Sequence, residues 1–390
     1  MRKPIFSWFT GLLLLINFFV YQSSFAFQIS LETLAELPLE VSSPVVELLP
    51  IKNSKNNYLI AQQNGTIYHS NFIEKDSLTF KVFDLSSVNP NALKLTALAI
   101  HPNFSTREQT GFATFYTAHI EPRDTQQSLT RISDKALSTE QLPFDLVVNE
   151  WQLDKSQTAD IETKREIIRI ASPDENSQIE QMSFHPNTKI WDDDFGLLYI
   201  GMNQALLHNQ LPLHSGALLR INPKRFGLKN FTIPPSNPFI DDPKINNEIA
   251  ALGLGTLSHF VWPTKDKSVT LISHKNTDSH ALSLIPAGTN LLTNNDSTNL
   301  NMLHQVKQIE PSDKRSKNQL MRYQGSAFSY LWGAVITIEK AGSNLMVNSV
   351  QAKIGDPVTS SLWTLGDKQS VMLFNDHQGE ILIINAADNN

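Results

Sequence analysis

Between Ser177 and Pro223 the chain carries three short apolar runs, Gln181–His185, Leu197–Gly201 and Ala217–Asn222, each bounded by Pro, Asn, Asp or Gly. Short runs rich in branched and aromatic residues, cut by turn formers, predict strands of an antiparallel sheet. The pattern recurs along the chain. Tyr58–His69 reads as a hairpin, because two strand-like runs flank Asn64-Gly65, whose residues adopt the tight two-residue turn at low cost. Leu95–Ile100 and Gly111–Thr117 predict two strands around a His101-Pro102-Asn103 turn, where His101 is expected to make a structural hydrogen bond. Leu146–Leu153 and Glu166–Ala171 alternate as strands do. Glu248–Leu254 and Val269–Ser273 predict strands of the sheet that follows. Phe328–Glu339, Asn344–Val347, Leu362–Leu365, Val371–Asn375 and Glu380–Ile384 predict the last strands, with Asp376–Gly379 as the final hairpin turn. No segment predicts a helix of three or more turns.

The intervening stretches break this pattern in different ways. Thr125–Phe144 and Asn294–Lys317 are polar and unpatterned and predict surface loops. Ile233–Phe239 holds three prolines with Ser and Asn, which a central strand cannot accommodate, so it predicts a rigid connection. Gln28–Pro50 is apolar but irregular and predicts a first outer strand. Pairing of the C-terminal strand with the N-terminal one would remove free sheet edges.

Composition narrows the class. With 390 residues, 41% hydrophobic and 18% charged, the chain can bury a large core. It has no cysteine, so disulfides, thiolate nucleophiles and Cys metal sites are excluded. Arg2 and Lys3, an apolar Gly11–Val20 and the small residues of Ser24-Phe25-Ala26 read as a signal peptide, 1–26, cleaved after Ala26. Its removal takes two positive charges from a net −6 and leaves −8, on 390 − 26 = 364 residues. A mildly acidic, secreted or periplasmic protein follows, with no nucleic-acid partner and no membrane span after signal removal.

Several of these segments carry more than strand pattern. Leu95-Thr-Ala-Leu-Ala-Ile-His-Pro-Asn-Phe104 precedes a Phe112–Thr117 strand. Leu198-Tyr-Ile-Gly201 leads to Leu219-Arg-Ile-Asn-Pro223, and Ile233-Pro-Pro-Ser-Asn-Pro-Phe239 follows. Together they resemble the soluble glucose/sorbosone dehydrogenase family. The resemblance implies an all-β fold, a six-bladed β-propeller over residues 27–390. It would allot about 60 residues to each blade, against roughly 40–50 for blades without insertions. It also implies sugar oxidation by hydride transfer to pyrroloquinoline quinone (PQQ), with calcium. A histidine would be the general base and an aspartate would hold its tautomer.

The residues at the corresponding positions are different. The base position falls on Ser177, and the two glycines that follow it fall on Ile179 and Glu180. The orienting aspartate falls on Gln204. The Arg and Asn that grip the acidic quinone fall on Gly255 and Thr256, and an acidic pair falls on His280 and Ala281. Loss of an arginine removes the strongest available partner for the quinone carboxylates.

Other residues are candidates for chemistry. His259 follows the displaced quinone motif and would stand near the channel mouth in the family's geometry. His185, His208, His214, His274 and His280 have no established metal spacing and read as solvated or capping histidines. Asp192-Asp193-Asp194 and Asp241-Asp242 read either as calcium ligands or as solvated acidic turns. Trp262, Trp332 and Trp363 read either as sugar-stacking platforms or as core. Three functions stay open: a working quinone-dependent sugar dehydrogenase, a non-catalytic pseudoenzyme that binds a sugar-like small molecule or a partner protein, and a metal-dependent lactone hydrolase.

Overall fold

The computed structural model describes residues 29–36, 43–52, 54, 57–73, 76–124, 130–132, 141–186, 188–203, 214–262, 269–275, 280–292, 319–323, 326–331, 334–341, 344–350, 360–364, 371–375 and 380–386. Strand β1 (Ile29–Glu36) comes first. A first sheet of four strands follows: β2 (Val45–Pro50), β3 (Asn57–Gln62), β4 (Thr66–Ile73) and β5 (Asp76–Asp84). A short helix, α1 (Leu85–Val88), is capped by Asp84, whose carboxylate accepts the Ser86 N–H. The second sheet contains β6 (Lys94–Ile100), β7 (Thr114–Pro122), β8 (Arg131–Ile132), β9 (Phe144–Leu153) and β10 (Ala159–Ser172), in the order β6-β7-β9-β10-β8. The third runs β11 (Ile179–Phe184), β12 (Leu198–Met202), β13 (Leu218–Ile221) and β14 (Ile249–Ala251).

The fourth sheet has three strands, β15 (Thr256–Val261), β16 (Val269–Lys275) and β17 (His280–Pro286). The fifth has β18 (Gln319–Tyr323), β19 (Ser326–Leu331), β20 (Ala334–Ala341) and β21 (Asn344–Val350). The last is β22 (Ser360–Thr364), β23 (Val371–Asn375) and β24 (Glu380–Ala386), completed by β1, which pairs antiparallel with β24 from Ile29↔Ala386 to Glu36↔Glu380. The two chain ends therefore share one sheet, as the edge argument predicts.

Local signals act where the sequence places them. Gly65 turns at φ +94° between β3 and β4, and its amide donates to Gln62 O. At the His101 turn, Nδ1 accepts the Asn103 N–H at 3.0 Å. Burial pushes the imidazole down to about 4, only partly offset by Glu150, so the ring stays neutral and keeps its acceptor nitrogen. Gly111 sits at φ +92°, and a Cβ there would lie 1.9 Å from His101 Nδ1.

Three expectations need correction. Glu248–Leu254 does not start the next sheet: β14 is the fourth strand of the third, with Leu218 opposite Ala251. The Pro-rich connection folds back instead of moving on, and the Asn237 amide ties Arg220 O to Asn247 O. The Phe328–Glu339 run is two strands, β19 and β20, paired to each other. Part of the polar Thr125–Phe144 stretch is bound to the second sheet, since β8 lies parallel to β10 and both Thr130 and Leu142 are buried. Residues 1–26, 294–317 and 376–379 lie outside the described residues.

The sheets bury both faces. Tyr116, Ala118 and Ile120 of β7 pack with Ile168 and Ile170 against Ile179, Met182 and Leu198 of the third sheet. The alternate residue Phe115 joins Trp151, Phe83 and Leu59 against the first. Tyr199 and Leu218 meet Leu257, Phe260 and Trp262 of the fourth. Trp262 lies T-shaped on Tyr199 at 4.9 Å and tilted over His185 at 4.6 Å, which makes it core. Gly201 of β12 sits in this last contact, where an added Cβ would lie 2.6 Å from Leu257 Cδ2 and 3.0 Å from Phe260 Cε1. Gly201→Ala is expected to cost about 1–3 kcal/mol by overpacking. Urea unfolding should show a lower midpoint at unchanged slope, and an unaltered midpoint would refute this contact.

Candidate functional site

Ser177, where the resemblance places the general base, lies at one end of the third sheet in a closed polar tie. In the connection leading into β11, Asp174 Oδ1 accepts the Asn176 and Ser177 amides at 2.7 Å each. The Ser177 hydroxyl donates to Asp174 Oδ2 at 3.0 Å, and Ser177 is buried. Asn203, just past β12, accepts the Gln178 N–H at 2.8 Å and donates to Asn176 O and to Glu180 Oε1. Gln178 Nε2 donates to the same Glu180 oxygen at 2.9 Å. The Ile179 side chain is fully buried.

Gly255 arrives here through backbone contact: a Cβ on Gly216 would lie 2.5 Å from Gly255 O, and Leu254 N donates to Gly216 O. This set of groups holds a loop. The Ser177 hydroxyl meets a carboxylate and no imidazole, and the described residues here offer no guanidinium to an acidic quinone. The residues present do not fit the quinone. Gln204 and His208 lie outside the described residues. His259 stands in β15 opposite Ser273, and its side chain, like those of His274 and His280, lies outside them too. Trp332 is outside as well, and Trp363 is described only as a backbone position in β22.

The remaining candidates are spoken for. His214 is buried, not solvated: its Nε2 lies 2.7 Å from Glu248 Oε1 and 3.0 Å from the Asn246 amide. Burial pushes the Glu248 carboxyl up, but His214 outweighs it and holds the group low. Asp192 Oδ2 accepts the Lys189 N–H, and Asp242 Oδ1 accepts the Lys244 N–H. Asp194 accepts the Tyr199 hydroxyl at 3.0 Å and pairs with Arg220 Nε at 2.9 Å. Among the described residues no three His, Asp or Glu gather as a metal site would require.

A different cluster holds more chemistry, and sequence reading passed over it. On the second sheet, cross-strand register sets three rows side by side: Glu121–Asp145–Ala171, His119–Val147–Arg169 and Thr117–Asn149–Glu166. A bulge between Glu166 and Ile168 turns Glu166 onto the same face as Arg169. His119 Nε2 lies 3.1 Å from Glu121 Oε2 and 3.0 Å from the Asn89 amide. Arg169 pairs with Glu121, with Glu166 at 2.7 Å and with Asp145 at 3.1 Å, while Arg131 pairs with Asp145 at 2.8 Å.

These groups border a cavity of about 450 Å³ lined by Asn89, His119, Glu121, Asn149, Glu166 and Arg169 among others. Two of its lining residues have buried polar atoms that no described protein group meets, His119 Nδ1 and Asn149 Oδ1. The cluster sits on β7, β9 and β10, with His119 opposite Leu95 of β6. A sequence signal did exist. Thr117, His119 and Glu121 are polar at alternate positions of a strand whose other residues are apolar.

No family model and no curated protein sequence matches the chain. Solved structures do. An oxidoreductase described as a glucose dehydrogenase, from Thermus thermophilus, shares 15% identity at TM-score 0.54, over 92% of this chain and all of that one. The soluble aldose sugar dehydrogenase of Escherichia coli shares 12% at 0.51, over 92% of this chain and all of that one. A further glucose dehydrogenase shares 13% at 0.53 with the same coverage. At these identities the likeness establishes the fold: a β-propeller architecture of the kind seen in soluble sugar dehydrogenases.

Glu121 gives the cluster a pH signature. Burial pushes its carboxyl up, but hydrogen bonds from His119, Arg169 and Asn89 outweigh this and bring it down to about 2. An unfolded glutamate titrates near about 4.3. Between those values the unfolded chain binds more protons, so the group's stabilisation is whole above about pH 4.3 and is lost as pH falls toward 2. Glu121→Gln is expected to melt lower at neutral pH and to lose less stability than wild type between about pH 5 and 3. Parallel melting curves for the two proteins across that range would show that Glu121 is not held low.

Proposed function

We propose that this chain is an exported, six-bladed propeller of the glucose/sorbosone dehydrogenase type that no longer carries out quinone-dependent oxidation and instead binds a small, neutral, hydroxyl-rich molecule. The observation that carries the first half is Ser177. It stands where the general base is implied, and its hydroxyl donates to Asp174 in a loop closed by Asn203 and Glu180. A serine hydroxyl on a carboxylate cannot take the substrate proton that an imidazole of suitable pKa would take. Six sheets among the described residues and the pairing of β1 with β24 support a closed six-blade ring.

The off-axis cavity supports the second half. Glu121 and Glu166 are already paired with Arg169, so neither an anion nor a cation finds an uncompensated partner in them. The unmet atoms among the cavity's described lining residues are an acceptor, Asn149 Oδ1, and one imidazole nitrogen, His119 Nδ1. Hydroxyl groups donate to such atoms and accept in turn. A volume of about 450 Å³ lies in the range of ordinary small-molecule pockets.

Titration with pyrroloquinoline quinone, with and without calcium, is expected to give no saturable absorbance change and no sugar-dependent dye reduction. Calorimetric titration with glucose and with sorbitol is expected to show binding that Asn149→Leu weakens about tenfold or more. Saturable quinone binding with aldose-dependent reduction would overturn the loss of oxidation. Polyol binding unaffected by Asn149→Leu would move the ligand elsewhere.

A further inference from the structure

The second and third sheets meet at a guanidinium that grips a protruding hairpin. Arg165 of β10 pairs with Glu150 through Nε at 3.0 Å and Nη2 at 2.7 Å, and the Tyr116 hydroxyl donates to the same carboxylate. The same guanidinium donates to Asn230 O at 2.6 Å and Pro223 O at 2.7 Å, the two sides of a hairpin that leaves β13. Backbone bridges on either side of that clamp hold the hairpin. Asn222 and Thr232 exchange both backbone hydrogen bonds, as do Phe226 and Lys229, and Gly227 turns at φ +60°.

The tip, Lys224-Arg225-Phe226-Gly227-Leu228-Lys229, is exposed throughout, with Phe226 at 73% and Leu228 at 90%. The β11–β12 connection leaves the same end of the third sheet, because Leu198 lies opposite Ile221. It displays Lys189, Ile190 at 59% and Trp191 at 78%. Half of the chain's described large exposed apolar residues (four of eight) are thus in these two loops.

We propose that this end of the third sheet is a docking face for an anionic phospholipid surface. The apolar side chains would enter the interface and the cations would meet headgroup phosphates. The chemistry favours lipid over a protein groove. The tip is the turn of a hairpin, and its two apolar residues, Phe226 and Leu228, are flanked by Lys224 and Arg225 on one side and Lys229 on the other. Lys189, Lys224, Arg225 and Lys229 outnumber the exposed Asp193 and Asp241 of the same connections. The chain carries no acid at all from Phe195 to Ile240. Acids elsewhere, which give the net −6, act weakly beyond about 10 Å at physiological salt. The Arg165 clamp presents the tip already ordered, so little ordering cost attends binding.

The test is co-sedimentation of the processed chain with vesicles of phosphatidylethanolamine containing about one-third phosphatidylglycerol, and with phosphatidylcholine vesicles. Binding is expected to the anionic vesicles and not to the zwitterionic ones, with release at about 0.5 M salt. Phe226→Ser with Leu228→Ser should lower the bound fraction about tenfold, and Lys224→Glu with Lys229→Glu should do likewise. All four side chains are exposed, so melting temperatures should be unchanged. Failure to bind anionic vesicles, or binding indifferent to both pairs, overturns the proposal, and so does an acidic protein found as the tip's sole partner. None of these outcomes bears on quinone or polyol binding.

Discussion

A sheet held between two others has no face left for water, and that constraint shapes the described architecture. Along β7 both faces are covered, but differently: one is apolar from Tyr116 to Ile120, and the other is apolar at Phe115 and polar from Thr117 to Glu121. Tyr116, Ala118 and Ile120 enter one interface and Phe115 enters the other. Closeness then becomes a sequence requirement. Gly201 is a glycine because Leu257 and Phe260 press on β12, and Gly216 because Gly255 O lies where its Cβ would be. With no cysteine to restrain the unfolded chain, such contacts and the β1–β24 pairing supply what a disulfide would otherwise contribute.

The same constraint explains why buried polarity is concentrated. Where Phe115 and Trp151 fill the first interface, the Trp151 indole N–H donates to Thr117 at 2.8 Å, and beyond Thr117 the rows turn polar. Glu121, Asp145, Glu166, Arg131 and Arg169 share that end, and each carboxylate is paired with at least one arginine. Removing one partner from such a network leaves a buried charge uncompensated, which costs far more than the network gains over an apolar core.

What was legible in the sequence was local. Asn64-Gly65 specifies its turn within four residues, and the His101-Pro102-Asn103 turn specifies its own hydrogen bond. The assignment of β14 failed because its partner is fixed by Asn237, which ties the chain back to β13 from a distance no periodicity reports. The His119 cluster went unread for the same reason. His119, Asn149 and Arg169 are far apart in sequence, and a single bulge decides that Glu166 joins them. Of the aligned motif positions, Ser177 and Glu180 share one tie with Asn203, and Gly255 packs on Gly216 beside it, while Gln204 lies outside the described residues.

At Ser177 the side chain serves its own loop, since its hydroxyl donates to Asp174 three residues earlier. Arg165 illustrates the converse. One guanidinium satisfies Glu150 within the second sheet and two carbonyls of a hairpin from the third, so the tip's orientation is tied to the core pairing. Loss of Arg165 would therefore strand a half-buried carboxylate and release the hairpin together. Stability and surface presentation are coupled at that residue, whereas at Ser177 fold and chemistry are uncoupled. The first kind of position resists change and the second permits it.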